Sequence, residues 1–109
     1  MLKVIILLKR RPGSSHEEFM KHWKEKHGPL VTKLVPGLRK YVQNHLINLP
    51  GMEYDTDGIA ELWFDDIDAF QNFVKWRDTD GAKEMIKDEL SYVDNTSSVR
   101  FIVEEHQMK

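Results

Sequence analysis

Residues 2–9 read Leu-Lys-Val-Ile-Ile-Leu-Leu-Lys, with five consecutive apolar residues between two lysines rather than an alternation, which predicts a central strand covered on both faces. The stretch Arg11-Pro12-Gly13-Ser14-Ser15 is a turn leading into a helix. Ser15 and Glu18 stand at capping-box spacing, and Glu17 and Glu18 suit the positive end of the helix dipole. At roughly 100° per residue, His16, Phe19, Met20, Trp23 and His27 fall on one stripe. His22 lies outside it, and Gly28-Pro29 predicts the helix end near His27. Beyond Pro36-Gly37, residues 38–48 alternate as a strand, with Tyr41, Gln43, His45 and Ile47 on one side and Lys40, Val42, Asn44 and Leu46 on the other. A polar loop over 49–58 precedes a third strand over 58–64. Asp65 or Asp66 caps a helix whose inner stripe is Ile67, Phe70, Phe73 and Val74. After a break at 78–81, a further helix carries Ala82, Met85, Ile86, Leu90 and Val93, with Glu89 projecting into the middle of that stripe. Residues 98–105 form the last strand, Val99, Phe101 and Val103 opposed to Arg100, Ile102 and Glu104.

The order β-α-β-β-α-β, with the second helical element split, is the ferredoxin-like α+β pattern: a four-stranded antiparallel sheet with helices on one face. The other face carries apolar and aromatic side chains that need a cover, and a second copy of the chain is the simplest one. The 109 residues form a single domain, 1–109. A formal net charge of -2 leaves no basic footprint for nucleic acid and no polybasic segment for a membrane. The first apolar run is too short for a leader or a membrane span, so a cytoplasmic protein is expected. The absence of cysteine removes disulfides, thiolate nucleophiles and Cys-bound metals.

Four segments together resemble one family. His22-Trp23-Lys24-Glu25-Lys26-His27-Gly28-Pro29-Leu30 is similar to the H-W-x-x-x-H-G-P-L signature of EthD proteins. Pro36-Gly37-Leu38 with Tyr41, Gln43, Asn44 and His45 matches their P-G-L-x-x-Y-x-Q-N-H strand, and residues 57–64 their D-G-x-A-E-L-W-F strand. Asp88-Glu89 before Tyr92-Val93-Asp94, and Val103-Glu104-Glu105-His106, complete a likeness that spans nearly the whole chain. The resemblance implies a homodimer, a dimeric α+β barrel paired through the sheet face, with a small-molecule pocket between helices and sheet in each subunit. Similar barrels include cofactor-free lactone isomerases, polyketide cyclases and dehydratases, and monooxygenases, so fold alone does not select the chemistry.

His27 is the first candidate for catalysis, because imidazole both takes and gives a proton near neutral pH and this one sits on a buried stripe beside a Gly-Pro break. The competing reading is a core histidine satisfied by a carbonyl, or one favoured by the helix C-terminus. Tyr41 is expected to hold or polarise a substrate oxygen, and Glu89, a carboxylate inside an apolar stripe, to orient His27 or else to pair with a cation. Gln43 and His45 share the Tyr41 face and, with His22, Trp23 and Trp63, are candidate substrate contacts; packing or the dimer interface is the alternative for each. No metal is expected: H-E-x-x-H is absent, and His22 and His27, five apart, diverge by about 140° on an α-helix. The resulting expectation is a cofactor-independent isomerase, cyclase or dehydratase acting on an oxygenated cyclic or aromatic, catabolic or polyketide-like compound. The alternatives are a cofactor-free monooxygenase and a non-catalytic ligand-binding accessory to an oxygenase system.

Overall fold

The computed structural model describes residues 1–109. Strand β1 (Leu2–Leu8) leads to α1 (His16–His22), a π-helical turn over Trp23–His27 and α2 (Gly28–Leu34). Strands β2 (Lys40–His45) and β3 (Gly58–Phe64) follow, then α3 (Ile67–Trp76), a 3₁₀ turn at Asp80–Ala82, α4 (Lys83–Tyr92) and β4 (Val99–Val103). The sheet is antiparallel in the order β2-β3-β1-β4, which is the ferredoxin-like α+β arrangement. No helix is long and apolar enough to cross a membrane.

The register sets what each face carries. Tyr41, Leu62, Val4 and Ile102 form one row across the sheet, and Gln43, Ala60, Ile6 and Arg100 the next. Both rows face the helices. The intervening rows, among them Val42, Glu61, Ile5 and Phe101, face the other way. That outer face is mixed rather than purely apolar. Lys3 bridges Glu61 and Glu105, Asn44 donates to Glu61, and Lys3 and Lys40 lie over the Trp63 ring. Val99 and Phe101 remain about half exposed there, at 45% and 47%.

Local signals behave as their chemistry requires. Ser15 accepts from the Glu18 backbone N–H while Glu18 accepts from that of Ser15, a complete capping box. Asp66, rather than Asp65, caps α3 by accepting from the Ala69 N–H; Asp65 pairs with Arg39 instead. One predicted boundary fails. The first helix does not stop at Gly28-Pro29 but continues to Leu34, because the π turn absorbs the break. The Gly28 N–H reaches back five residues to the Trp23 carbonyl, and Pro29 falls in the first turn of α2, where its missing N–H is not called upon. The stripes also shift. Ile67, Val74 and Leu90 are exposed, whereas Glu89 and Tyr92 go inside with Met85.

The core runs from Val4, Leu62 and Phe64 on the sheet to Phe19, Trp23 and Val31 on the first helix and Met85 and Tyr92 on α4. Gly58 is fixed by packing: the Trp23 indole lies so close over it that an added Cβ would overlap the ring. Next to it, Asp57 staples three elements. Its carboxylate accepts from the Arg10 backbone N–H (2.8 Å), the Arg10 guanidinium (2.6 Å) and His16 Nδ1 (2.8 Å), and His16 Nε2 lies 3.2 Å from the Leu46 carbonyl. Burial alone would raise the Asp57 pKa; the Arg10 N–H, His16 and the Arg10 guanidinium outweigh it and hold the carboxyl below its ordinary value. A depressed carboxyl pKa stabilises the fold above the unfolded value of about 3.9, and that contribution is lost as pH falls through the folded value. Asp57→Asn is therefore expected to lower the unfolding free energy by about 1.5–3 kcal/mol at pH 7, with the deficit shrinking below about pH 4. Urea midpoints of both proteins across that range provide the measurement.

Candidate active site

The π turn builds the site. In an α-helix, residues five apart diverge, but the wider ring of the π turn brings His22 and His27 round to the same side. Both then meet one carboxylate on α4. His22 Nε2 contacts Asp88 Oδ1 at 2.9 Å, and His27 Nδ1 contacts Asp88 Oδ2 at 3.0 Å. The expected divergence of the two imidazoles is thus corrected by a helix that is not α at that point. Because Asp88 accepts at Nδ1, the neutral His27 ring carries its proton there and presents Nε2 as a lone-pair acceptor. His27 is 6% exposed. Burial, the largest effect, drives its pKa below the ordinary 6.5, against the opposing pull of Asp88.

His27 forms part of the wall of a cavity of about 290 Å³ between the helices and the sheet. Sixteen of its 22 lining residues are hydrophobic, so a guest in it is mostly desolvated. Its polar groups form two sets. His27, Tyr41 and Tyr92 form one, while the other comprises Arg77 and Asp78 just after α3, Glu89 on α4, Asn95 after α4 and Arg100 on β4. Burial raises the pKa of Tyr41, and that of Tyr92 further, so both are neutral hydroxyls at physiological pH.

The remaining candidates take definite places. Gln43 organises β2: its Nε2 donates to the Trp23 carbonyl and to the Tyr41 hydroxyl, each at 2.9 Å, while its Oε1 contacts His45 Nε2 at 2.8 Å. His45 also stacks on Trp23, with ring centroids 4.7 Å apart. Gln43, His45 and His22 therefore stand behind the cavity wall, whereas Trp23 and Tyr41 are in it. The tight fit of Gln43 explains Gly28, where a Cβ would come 2.8 Å from Gln43 Nε2. Glu89 lines the cavity but accepts from Arg77 (2.8 Å) and Asn95 (3.3 Å), and the carboxylate that contacts His27 is its neighbour Asp88. Trp63, expected among the ligand contacts, lies on the outer face under Lys3 and Lys40, because strand alternation sends it away from Leu62 and Phe64. Asp88 and Tyr92 were not singled out by sequence reasoning. Of the adjacent Asp88 and Glu89, it is Asp88 that contacts His27, and Tyr92 sits one position from the predicted stripe residue Val93.

The EthD domain model matches residues 11–96. Among solved structures, an ethyl tert-butyl ether D (EthD) family protein from Bacillus halodurans is 26% identical, with a TM-score of 0.72 over 97% of this chain and 100% of that one. A dimeric protein of unknown function with a ferredoxin-like fold from Bacteroides fragilis gives 20% identity and a TM-score of 0.66, over 95% of each chain. The cofactor-independent oxygenase SnoaB from Streptomyces nogalater gives 12% identity and a TM-score of 0.63, over 98% of this chain and 94% of its own. No curated protein matches the chain.

Protonation of His27 is disfavoured by folding, so the unfolded chain binds that proton more readily and stability falls as pH drops below about 6.5. Two-dimensional NMR of the ring is expected to give a His27 midpoint below 6.5. Asp88→Asn, which removes the interaction holding the value up, is expected to move it lower still.

Proposed function

The chain belongs to the EthD family, and on that premise we propose that it binds a small, oxygenated, mainly apolar molecule between helices and sheet and moves a proton on it through His27. One observation carries this reading. His27 is held by Asp88 at Nδ1 in the wall of an apolar cavity, and its Nε2 has no hydrogen-bond partner in the protein. A neutral imidazole in a desolvated wall, backed by a carboxylate that compensates the charge it gains, has the properties of a general base.

In the proposed step Nε2 takes a proton from a carbon next to a carbonyl. The C–H electron pair becomes the C=C bond of an enolate, and negative charge collects on the carbonyl oxygen. Tyr41, whose oxygen already accepts from Gln43 and whose own proton is therefore directed elsewhere, donates to that oxygen. Where the enolate is conjugated with a further C=C bond, return of the proton from Nε2 to the distal carbon completes an isomerisation; loss of a β-hydroxyl as water, protonated by the imidazolium, completes a dehydration. At protein-like packing a cavity of about 290 Å³ suits roughly ten to fifteen non-hydrogen atoms, the size of a bicyclic ketone or lactone.

The probe 2-tetralone has both the carbonyl and acidic neighbouring C–H bonds. Its deuterium uptake in D₂O, followed by NMR, is expected to be faster with the protein than with buffer. His27→Ala is expected to lose roughly 10²–10⁴-fold of that acceleration while remaining folded. Binding of 2-tetralone with no acceleration of exchange would favour the ligand-binding accessory reading instead.

The same proposal includes a homodimer paired through the outer sheet face, supported by the half-exposed Val99 and Phe101 and by the dimeric state of the Bacteroides fragilis protein. Sedimentation equilibrium at micromolar concentration is expected to return about twice the 12.9 kDa chain mass. Phe101→Glu is expected to shift the protein toward monomer, and an unchanged wild-type monomer mass would count against pairing.

A further inference from the structure

Tyr92 is the one residue with a side-chain polar atom wholly shut off from solvent that finds no hydrogen-bond partner in the protein. It is 6% exposed, stands at the end of α4 one turn beyond Asp88, and forms part of the cavity wall. Its ring stacks on His22 at 4.3 Å between centroids and tilts against His27 at 5.3 Å, so it is packed among the groups that hold the base. Polar groups taken out of water are ordinarily paired, and leaving one without a partner is destabilising. Such a group persisting next to an imidazole base, in the wall of an apolar cavity, points to an acceptor that arrives with a ligand.

We propose that the Tyr92 hydroxyl binds the oxygen of the molecule that occupies the cavity, as a second donor beside Tyr41. The proposal rests on the reading of the cavity as a ligand site, and it narrows the ligand class to compounds whose carbonyl or phenolate oxygen accepts two hydrogen bonds. The two tyrosines differ in support. Gln43 fixes the Tyr41 hydroxyl from behind, whereas the Tyr92 hydroxyl has no protein group to satisfy it, so ligand oxygen is its only strong acceptor. A neutral phenol also suits the task, since the burial that raises the Tyr92 pKa keeps the proton on the oxygen as charge builds nearby.

The test compares wild type, Tyr92→Phe and Tyr41→Phe for affinity toward 2-tetralone and toward tetralin, its counterpart without oxygen, together with thermal stability and 2-tetralone exchange. Wild type is expected to prefer the ketone. Tyr92→Phe is expected to lose roughly three- to tenfold of that preference while unfolding at the same temperature as wild type or higher, because the variant sheds an unpaired hydroxyl. A structural role predicts the reverse: a less stable Tyr92→Phe with its ketone preference intact would overturn the assignment. Preference lost on Tyr92→Phe with no exchange even in wild type would uphold Tyr92 as an oxygen ligand and sink the proton-transfer reading alone. Failure of both compounds to bind wild type would remove the cavity as a ligand site, and Tyr92's assignment with it.

Discussion

One widened helical turn, Trp23–His27, sets most of what distinguishes this site. A π turn has poorer hydrogen-bond geometry than an α turn and persists where other contacts compensate. Here they are explicit: two imidazole contacts to Asp88, and the Gln43 amide on the Trp23 carbonyl that also receives the Gly28 N–H. Remove the extra residue from the turn and His27 rotates away from both Asp88 and its neighbour His22. The turn also lets the chain pass Gly28-Pro29 without stopping, which gives α2 its Val31 contribution to the core.

The two faces of the sheet solve opposite problems. On the helix side, aromatic and aliphatic packing closes over a cavity in which most polar groups are held by other polar groups (Asp88 behind His27, Gln43 behind Tyr41, Arg77 and Asn95 on Glu89) and the Tyr92 hydroxyl is not. On the outer side, Lys3, Glu61 and Asn44 lie together among aliphatic side chains. In the proposed pairing through this face, such a polar cluster would fix how the two surfaces register, since a misaligned partner leaves charges buried without satisfaction.

Much of the fold was legible because its signals are local. The apolar run between Lys3 and Lys9, the Ser15–Glu18 box, the Tyr41–His45 alternation and the Asp-Gly start of β3 each name an element from a few neighbouring residues. The site was legible only in part. His27, Tyr41 and Trp23 were reachable because they sit on regular stripes. Asp88, which holds His27, was not, because a pattern of 100° per residue cannot register a turn of a different pitch, and so it separates the two histidines that the carboxylate joins. Glu89 attracted the eye as a charge within an apolar stripe, yet Arg77, twelve residues earlier and across a turn, neutralises it. Trp63 lies away from the cavity for a different reason: strand alternation assigns side chains to faces, but nothing in the short β3 pattern says which face borders the cavity.

The contact between Gly58 and Trp23 couples the sheet to the His27 ring mechanically. The indole rests on bare strand backbone on one side and is clasped by the His45 ring in a stacked arrangement. Its own carbonyl anchors the start of the turn that ends at His27. A single methyl group on that strand would lift the indole, and the helix would transmit the displacement along its backbone to an imidazole four residues on. The strand therefore serves as the reference plane from which the position of the His27 ring is measured, and its missing side chain is a dimension of the cavity wall rather than an empty position.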